Sequence, residues 1–368
     1  MGRILISGAG AVTCLGLGSD ALRGPLLDGE AVPFTEEAPA GTPVSVGRIG
    51  YLKDADSAAT YRRWGQVDTY SRYGYVAARL ALESAGHAQS DDMAAYGVFF
   101  GTAYGCMEEN QKFERFAVVD GQMKGASPLV FKGTVDNAPA GWVAVAWKLK
   151  GPNATFVSGD GAGAEAIWAA ARQIRRGRAP AVLCGGVERF VDLHLVLRER
   201  DPASQGAVLS EGAGVLLIED EAAFVGRGRT GDDALAELIG VVRHRGPIVE
   251  GLRSTAVRLG IDVDDVGLIS LACPDADALA TVRTQLQQAA VASGPGAPLE
   301  GLELVADKTV LGEFHGAWAG VATCAALVRR QPGSGWNGRQ YAIVQVAGER
   351  NEDFYVVLGE PRDIGVNQ

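Results

Sequence analysis

The sequence predicts an α/β protein with a largely buried sheet, and two observations predict it. Short β-rich runs ending in glycine alternate with helical stretches, and the alternation runs twice along 368 residues. In the first series "RILISGAGAV" reads as a strand, followed by a helix from about Asp68 to Ser84, the strand "YGVFFGTAYG" and a helix near Pro139 to Lys148. "ATFVSG" is the next strand, then a helix from about Ala162 to Arg176, then the strands "PAVLCGG" and "GAGVLLIED". The second series brings "LAELIGVVRH", a helix near Gly251 to Gly260, "VGLISLACP", "LELVADK", a helix near Gly316 to Arg329, "YAIVQVAG" and "DFYVVL". Each half offers about five strands, a duplication of order rather than of residue identity, which divides the chain into residues 1–225 and 226–368. "GEAVPFTEEAPAGTPVS" and "ASGPGAPLEG", rich in Pro, Gly and small residues, read as surface loops.

With 47% hydrophobic residues the chain can bury a large core. Its net charge of −10 opposes nucleic-acid and anionic-membrane partners, since a polyanion is repelled at a distance. Cys14, Cys106, Cys184, Cys273 and Cys324 have no paired spacing that suggests zinc or a disulfide framework, so the expected compartment is reducing. "MGRILISGAGAV" lacks a basic segment followed by a long apolar one, and no stretch reaches the roughly 18 apolar residues of a membrane span, so a cytoplasmic location is expected.

The stretch "TFVSGDGAGAEAIWAAARQIRRGRAPAVLCGGVE", residues 155–188, reads as strand, glycine turn, helix and strand, with Asp160 at the crest of the turn. The helix carries Ala162, Ala166, Ile167, Ala170 and Ile174 on its inner face and Arg172, Arg175, Arg176 and Arg178 at its C-terminal end. A carboxylate at the positive end and cations at the negative end each contribute about 0.3–1 kcal/mol. From these residues Asp160 is either a helix cap or a catalytic carboxylate.

"RILISGAGAVTCLGLG", "DTYSRYGYVAARLALESAG", "MEEN", "SPLVFKGTVDNAPAGWVAVAWKLKGP", "IRRGRAPAVLCGGVE" and "SEGAGVLLIED" together resemble the β-ketoacyl synthase branch of the thiolase-fold condensing enzymes. The order holds across residues 1–220 and returns at "DKTVLGEFHGAWAGVATCAAL". The resemblance implies the thiolase fold, a duplicated five-layered αβαβα architecture, with neither cofactor nor metal.

It also exposes departures. Active ketosynthases carry at the crest a Cys whose thiolate accepts the acyl chain, where this chain has Asp160. Of the two histidines the family uses, the second position holds Glu313 and the first aligns with Cys273. Lys308 is retained and reads as a lysine neutralising Asp160 or Glu313. His87, His194, His244 and His315 read as packed or surface histidines, His315 lying two residues out of register, and "AGERNEDF" replaces the family's C-terminal glycine-rich loop.

Such concerted loss resembles the chain-length factor of type II polyketide synthases, an acyltransferase-complex subunit without intrinsic activity. The implied partners are an active ketosynthase subunit in a heterodimer, an acyl carrier protein reached through that complex, and the growing polyketide chain, reduced or polyene in character. The implied interface and tunnel floor fall on Tyr104, Met107, Phe113, Phe116, Val130 and Thr134, with core packing at helical spacing the other reading of the two phenylalanines. The rival is a divergent stand-alone condensing enzyme, or a thioester hydrolase using Asp160 with a water.

Overall fold

Ile4–Thr13 (β1) is buried at all ten positions, which requires cover on both faces and neighbours on both edges. A computed structural model describes residues 2–28, 34–39, 41, 43–88, 91–115, 128–199, 208–292, 301–349, 351–361 and 364, and it supplies that cover. β1 is followed by Gly97–Thr102 (β2), Asn153–Val157 (β3), Ala181–Glu188 (β4) and Gly212–Asp220 (β5). The second set is Ala236–Arg245 (β6), Val266–Ser270 (β7), Glu303–Val305 (β8), Tyr341–Ala347 (β9) and Glu352–Gly359 (β10).

The two sets have the same topology. In the first the order is β3-β2-β4-β5-β1, and in the second β8-β7-β9-β10-β6. β2 runs parallel to β3 and β4 while β5 is antiparallel to β4 and β1. Likewise β7 runs parallel to β8 and β9 while β10 is antiparallel to β9 and β6. The sets meet where β1 pairs with β6, through Leu5 with Glu237 and Ile6 with Ala236.

Helices fill three layers around these sheets. Thr69–Ser84 (α1) packs on β1 and β5, and Ala138–Ala146 (α3) on β2; between them in sequence lies Met107–Glu114 (α2). Ala162–Arg175 (α4) and Trp318–Arg329 (α9) lie between the sheets, α4 against β2, β4 and β6 and α9 against β5 and β9. Ile248–Leu259 (α6) and Ala276–Ala292 (α7) cover the far face, and two further helices are Asp192–Glu199 (α5) and Lys308–Leu311 (α8). The result is the five-layered thiolase-type αβαβα architecture, with one core between the sheets and one under each outer layer.

Small residues let the central helices press onto the strands. A Cβ at Gly320 of α9 would stand 1.9 Å from the Gly214 carbonyl oxygen, and one at Gly186 would stand 2.3 Å from that of Gly316. α1 starts where its periodicity predicts, because Asp68 accepts the Ser71 backbone N–H at 2.8 Å as an N-cap.

Two local expectations change. The first segment read as a loop holds strands Thr35–Glu37 and Val44–Gly47, the latter pairing in parallel with Leu209–Ser210. α7 has no counterpart among the helices that the sequence predicts. Most of "ASGPGAPLEG" and all of Phe116 lie outside the described residues.

Candidate functional site

The turn between β3 and α4 carries Gly159 at φ 75°, a conformation glycine adopts without strain, and closes as a 3-10 turn over Gly159–Gly161. Asp160 at its crest does not cap the helix. Neither the turn nor α4 receives a side-chain cap hydrogen bond, and the carboxylate points instead to His315, whose Nδ1 lies 2.8 Å from Oδ1. This corrects the reading of Asp160 as a cap or a partner of Lys308, and of His315 as a packed or surface histidine two residues out of register. His315 reaches the crest because it sits at φ 45°, in the left-handed region, at the head of a 3-10 turn leading into α9.

Lys308 forms its ion pair with Glu313, nearly buried on both sides, and its ammonium lies 5.2 Å from the centre of the Trp318 ring. The other Glu313 oxygen accepts the His315 backbone N–H at 2.9 Å. Burial disfavours the Glu313 charge, but Lys308 and His315 outweigh it and hold the carboxyl below its usual range. Burial likewise opposes the charges of Asp160 and His315. Their mutual hydrogen bond and attraction reverse the outcome, with Asp160 lowered and His315 raised.

The site continues through Tyr104. Its hydroxyl lies 3.3 Å from His315 Nε2, and its ring stacks on His194 with centroids 4.1 Å apart. His194 accepts the Val191 backbone N–H at Nδ1, and burial pushes its pKa down to about 4, so it is a neutral platform. Glu188, at the end of β4, anchors the two loops that meet here. One oxygen accepts the backbone N–H groups of Ala103 and Gly316, and the other those of Tyr104 N–H and Thr102 Oγ1–H. Burial pushes its pKa up to about 7 against those donors.

Asp160, Lys308, Glu313 and Tyr104 therefore gather at one place, joined by His315 and His194, which the sequence had set aside. Cys273 is buried, its thiol pKa raised by burial while the charge of Lys308 pulls the other way. Met107 opens α2, and Phe113 on the same helix packs 5.5 Å from Phe131. Thr134 donates its hydroxyl to the carbonyl of Phe131, which ends a short helical turn containing half-buried Val130, at 2.8 Å. Among the described residues no group of three or more His, Cys, Asp or Glu could hold a metal ion, and no helix is long and apolar enough to cross a membrane.

A groove of about 680 Å³ runs along the outer side of α4, lined by Phe156, Trp168, Val241 and Phe354 with Arg243 and Arg258. Phe354 stands against Gly161, beside the crest. Next to it β3 pairs with β2 alone among the described residues, and Val145, Val157 and Trp168 on and around this edge are 58%, 53% and 42% exposed.

Residues 1–223 match the model of the beta-ketoacyl synthase N-terminal domain, and the chain belongs to the beta-ketoacyl synthase family. It is 29% identical over 251 residues to the 3-oxoacyl-[acyl-carrier-protein] synthase 2 of Rhizobium meliloti, covering 60% of this chain and 59% of that protein. The namesake of Vibrio harveyi is 26% identical over 260 residues, covering 65% of this chain and 62% of that one. The matches thus span about three fifths of these relatives' length. Among solved structures, the ishigamide ketosynthase/chain length factor superposes with a TM-score of 0.76 at 17% identity, covering 97% of this chain and 99% of that one. A beta-ketoacyl synthase from Burkholderia phymatum STM815 gives 0.78 at 17%, covering 98% and 100%. A type II PKS acyl-carrier protein in complex with its ketosynthase bound to the hexaketide gives 0.75 at 19%, covering 98% and 99%. At these identities the structures share the fold.

Proposed function

We propose that this chain is a chain-length-factor type of subunit, which pairs with an active ketosynthase and shapes the tunnel for a growing polyketide without accepting the acyl chain itself. The observation that carries the reading is Asp160 at the crest, engaged by His315, with Lys308 committed to Glu313. Thioester exchange needs a polarisable nucleophile whose acyl form survives until the next step. A carboxylate held in an ion pair is a weak one, and the retained lysine is neutralised.

The edge of β3 supports a partner. Among the described residues it leaves a row of strand hydrogen-bonding groups beside exposed Val157, Val145 and Trp168, a surface that a second sheet would cover. An obligate interface of this kind buries on the order of 2,000 Å² or more. Phe113 with Phe131, Met107, Val130 and Thr134 lie on the segment that leads to this edge and are the proposed tunnel floor, with Phe116 between them in sequence. The carrier protein would deliver its thioester through the paired ketosynthase, in the cytoplasm.

Intact-protein mass spectrometry after incubation with an acyl-loaded carrier tests the reading. It predicts an unchanged mass, and a stable acyl adduct on any residue of this chain overturns it.

A further inference from the structure

The Asp160, His315 and Tyr104 side chains form a line that a purely structural ion pair does not need. Asp160 Oδ1 takes the Nδ1 side of the ring at 2.8 Å, so in the neutral imidazole the proton sits on Nδ1 and the lone pair on Nε2. That lone pair faces the Tyr104 hydroxyl at 3.3 Å, and the Tyr104 ring is held by its stack on neutral His194. The Asp160 side chain is 38% exposed and that of His315 14%, so water reaches the pair. His315 is kept in the left-handed region, a placement that costs a non-glycine residue free energy and that brings the ring to the crest.

We propose that His315, positioned by Asp160, is a general base that hydrolyses acyl thioesters at this site. The Tyr104 hydroxyl passes its proton to Nε2 as it takes one from a water whose oxygen attacks the thioester carbonyl carbon. The carbonyl electrons move to oxygen. The tetrahedral intermediate then expels the thiolate, which receives the proton from Nε2–H. One thioester and one water give one carboxylic acid and one thiol, and the imidazole returns to its neutral form. The substrate class rests on the proposed function, but the reaction does not: it needs no acyl-enzyme and would clear chains that condensation has left idle.

The groups facing His315 set the pH dependence. Asp160, Glu313 and Glu188 favour the imidazolium, Lys308 pairs with Glu313 and with Arg198 also attracts Asp160, and Tyr104 and His194 are uncharged. The rate should therefore rise with pH through the raised pKa of His315.

The test uses the full chain with N-acetylcysteamine thioesters of a saturated and a 3-oxo acyl group, reading thiol release from pH 5 to 9. Release above the buffer rate is expected, falling about 100-fold in His315→Ala, the scale of general-base catalysis. Asp160→Asn should slow it and move the rising limb to lower pH, because the ring loses its counter-charge. His315→Gln, checked by its melting curve, serves if the alanine variant does not fold. Release no faster than buffer, or undiminished in a folded His315 variant, overturns the inference. Pairing with a ketosynthase is measured on the same preparations: a chain that pairs but does not hydrolyse overturns this inference alone, and one that hydrolyses but does not pair overturns the proposed function alone.

Discussion

Replacing Lys308 by Met removes the counter-ion of a carboxylate largely withdrawn from water. The side chains of Lys308 and Glu313 are 6% and 15% exposed, and Asp160 adds repulsion from the crest. Breaking a buried pair from one side costs about 3–5 kcal/mol. The His315 N–H still donates to Glu313 at 2.9 Å, and its ring still attracts the carboxylate, which places the loss near the lower figure, about 3 kcal/mol. The sign with pH follows from linkage. Lys308 holds the Glu313 pKa down; without it burial raises the folded value above the unfolded one, so the variant loses stability as pH rises through that new value. Denaturant unfolding at pH 5 and pH 8 should show a smaller deficit at the first and the full deficit at the second. Lys308→Met with Glu313→Gln, which keeps an acceptor for the His315 N–H, should come within about 1 kcal/mol of the parent at pH 8. A loss below about 1 kcal/mol at pH 8, or an equal loss at both pH values, refutes the reasoning.

Two further predictions concern the same region. The Asp160 and His315 pair contributes fully between the unfolded values, roughly pH 4 to 6.5, and fades as pH rises through the raised His315 pKa or falls through the lowered Asp160 pKa. Asp160→Ala should therefore cost about 1 kcal/mol at pH 6, reduced by its partial exposure, and less at pH 9 in the same unfolding assay. Phe113→Ala should lengthen the products of the reconstituted synthase, since displacing a packed ring costs roughly 1–3 kcal/mol, enough to slow a further condensation about tenfold; unchanged product lengths with an intact complex would return Phe113 to ordinary packing.

Much of the architecture is readable from residue order. Glycine-terminated apolar runs mark the strands of both sets, and the alanine-rich run of α4 marks a helix with a broad buried face. α7 escaped because its Ala, Thr and Gln leave only a weak apolar stripe. The pairing of Val44–Gly47 with Leu209–Ser210 joins segments more than 160 residues apart, and short strands carry no local signal of such a partner.

At the site, residue identity was legible where the family pattern aligned and illegible where the backbone departs from it. Glu313 occupies the aligned position, yet the ring that meets Asp160 belongs to His315, carried there by a left-handed residue and a 3-10 turn. The available signal was a histidine between two glycines, Gly312 and Gly316, directly before a buried helix. Tyr104 was read as tunnel floor from its position after β2. Glu188, by gathering the amides of Ala103 and Tyr104, holds the loop that brings the Tyr104 hydroxyl to His315.

The central claim is that this chain works as one half of a pair, and co-expression with a ketosynthase that retains the crest cysteine tests it most directly. Mass measurement of the purified material should give a 1:1 heterodimer. Val157→Lys, which places an ammonium on the exposed edge of β3, should abolish it while leaving the chain folded. A stable homodimer that ignores the ketosynthase, or a heterodimer indifferent to Val157→Lys and to Trp168→Glu alike, would contradict the account.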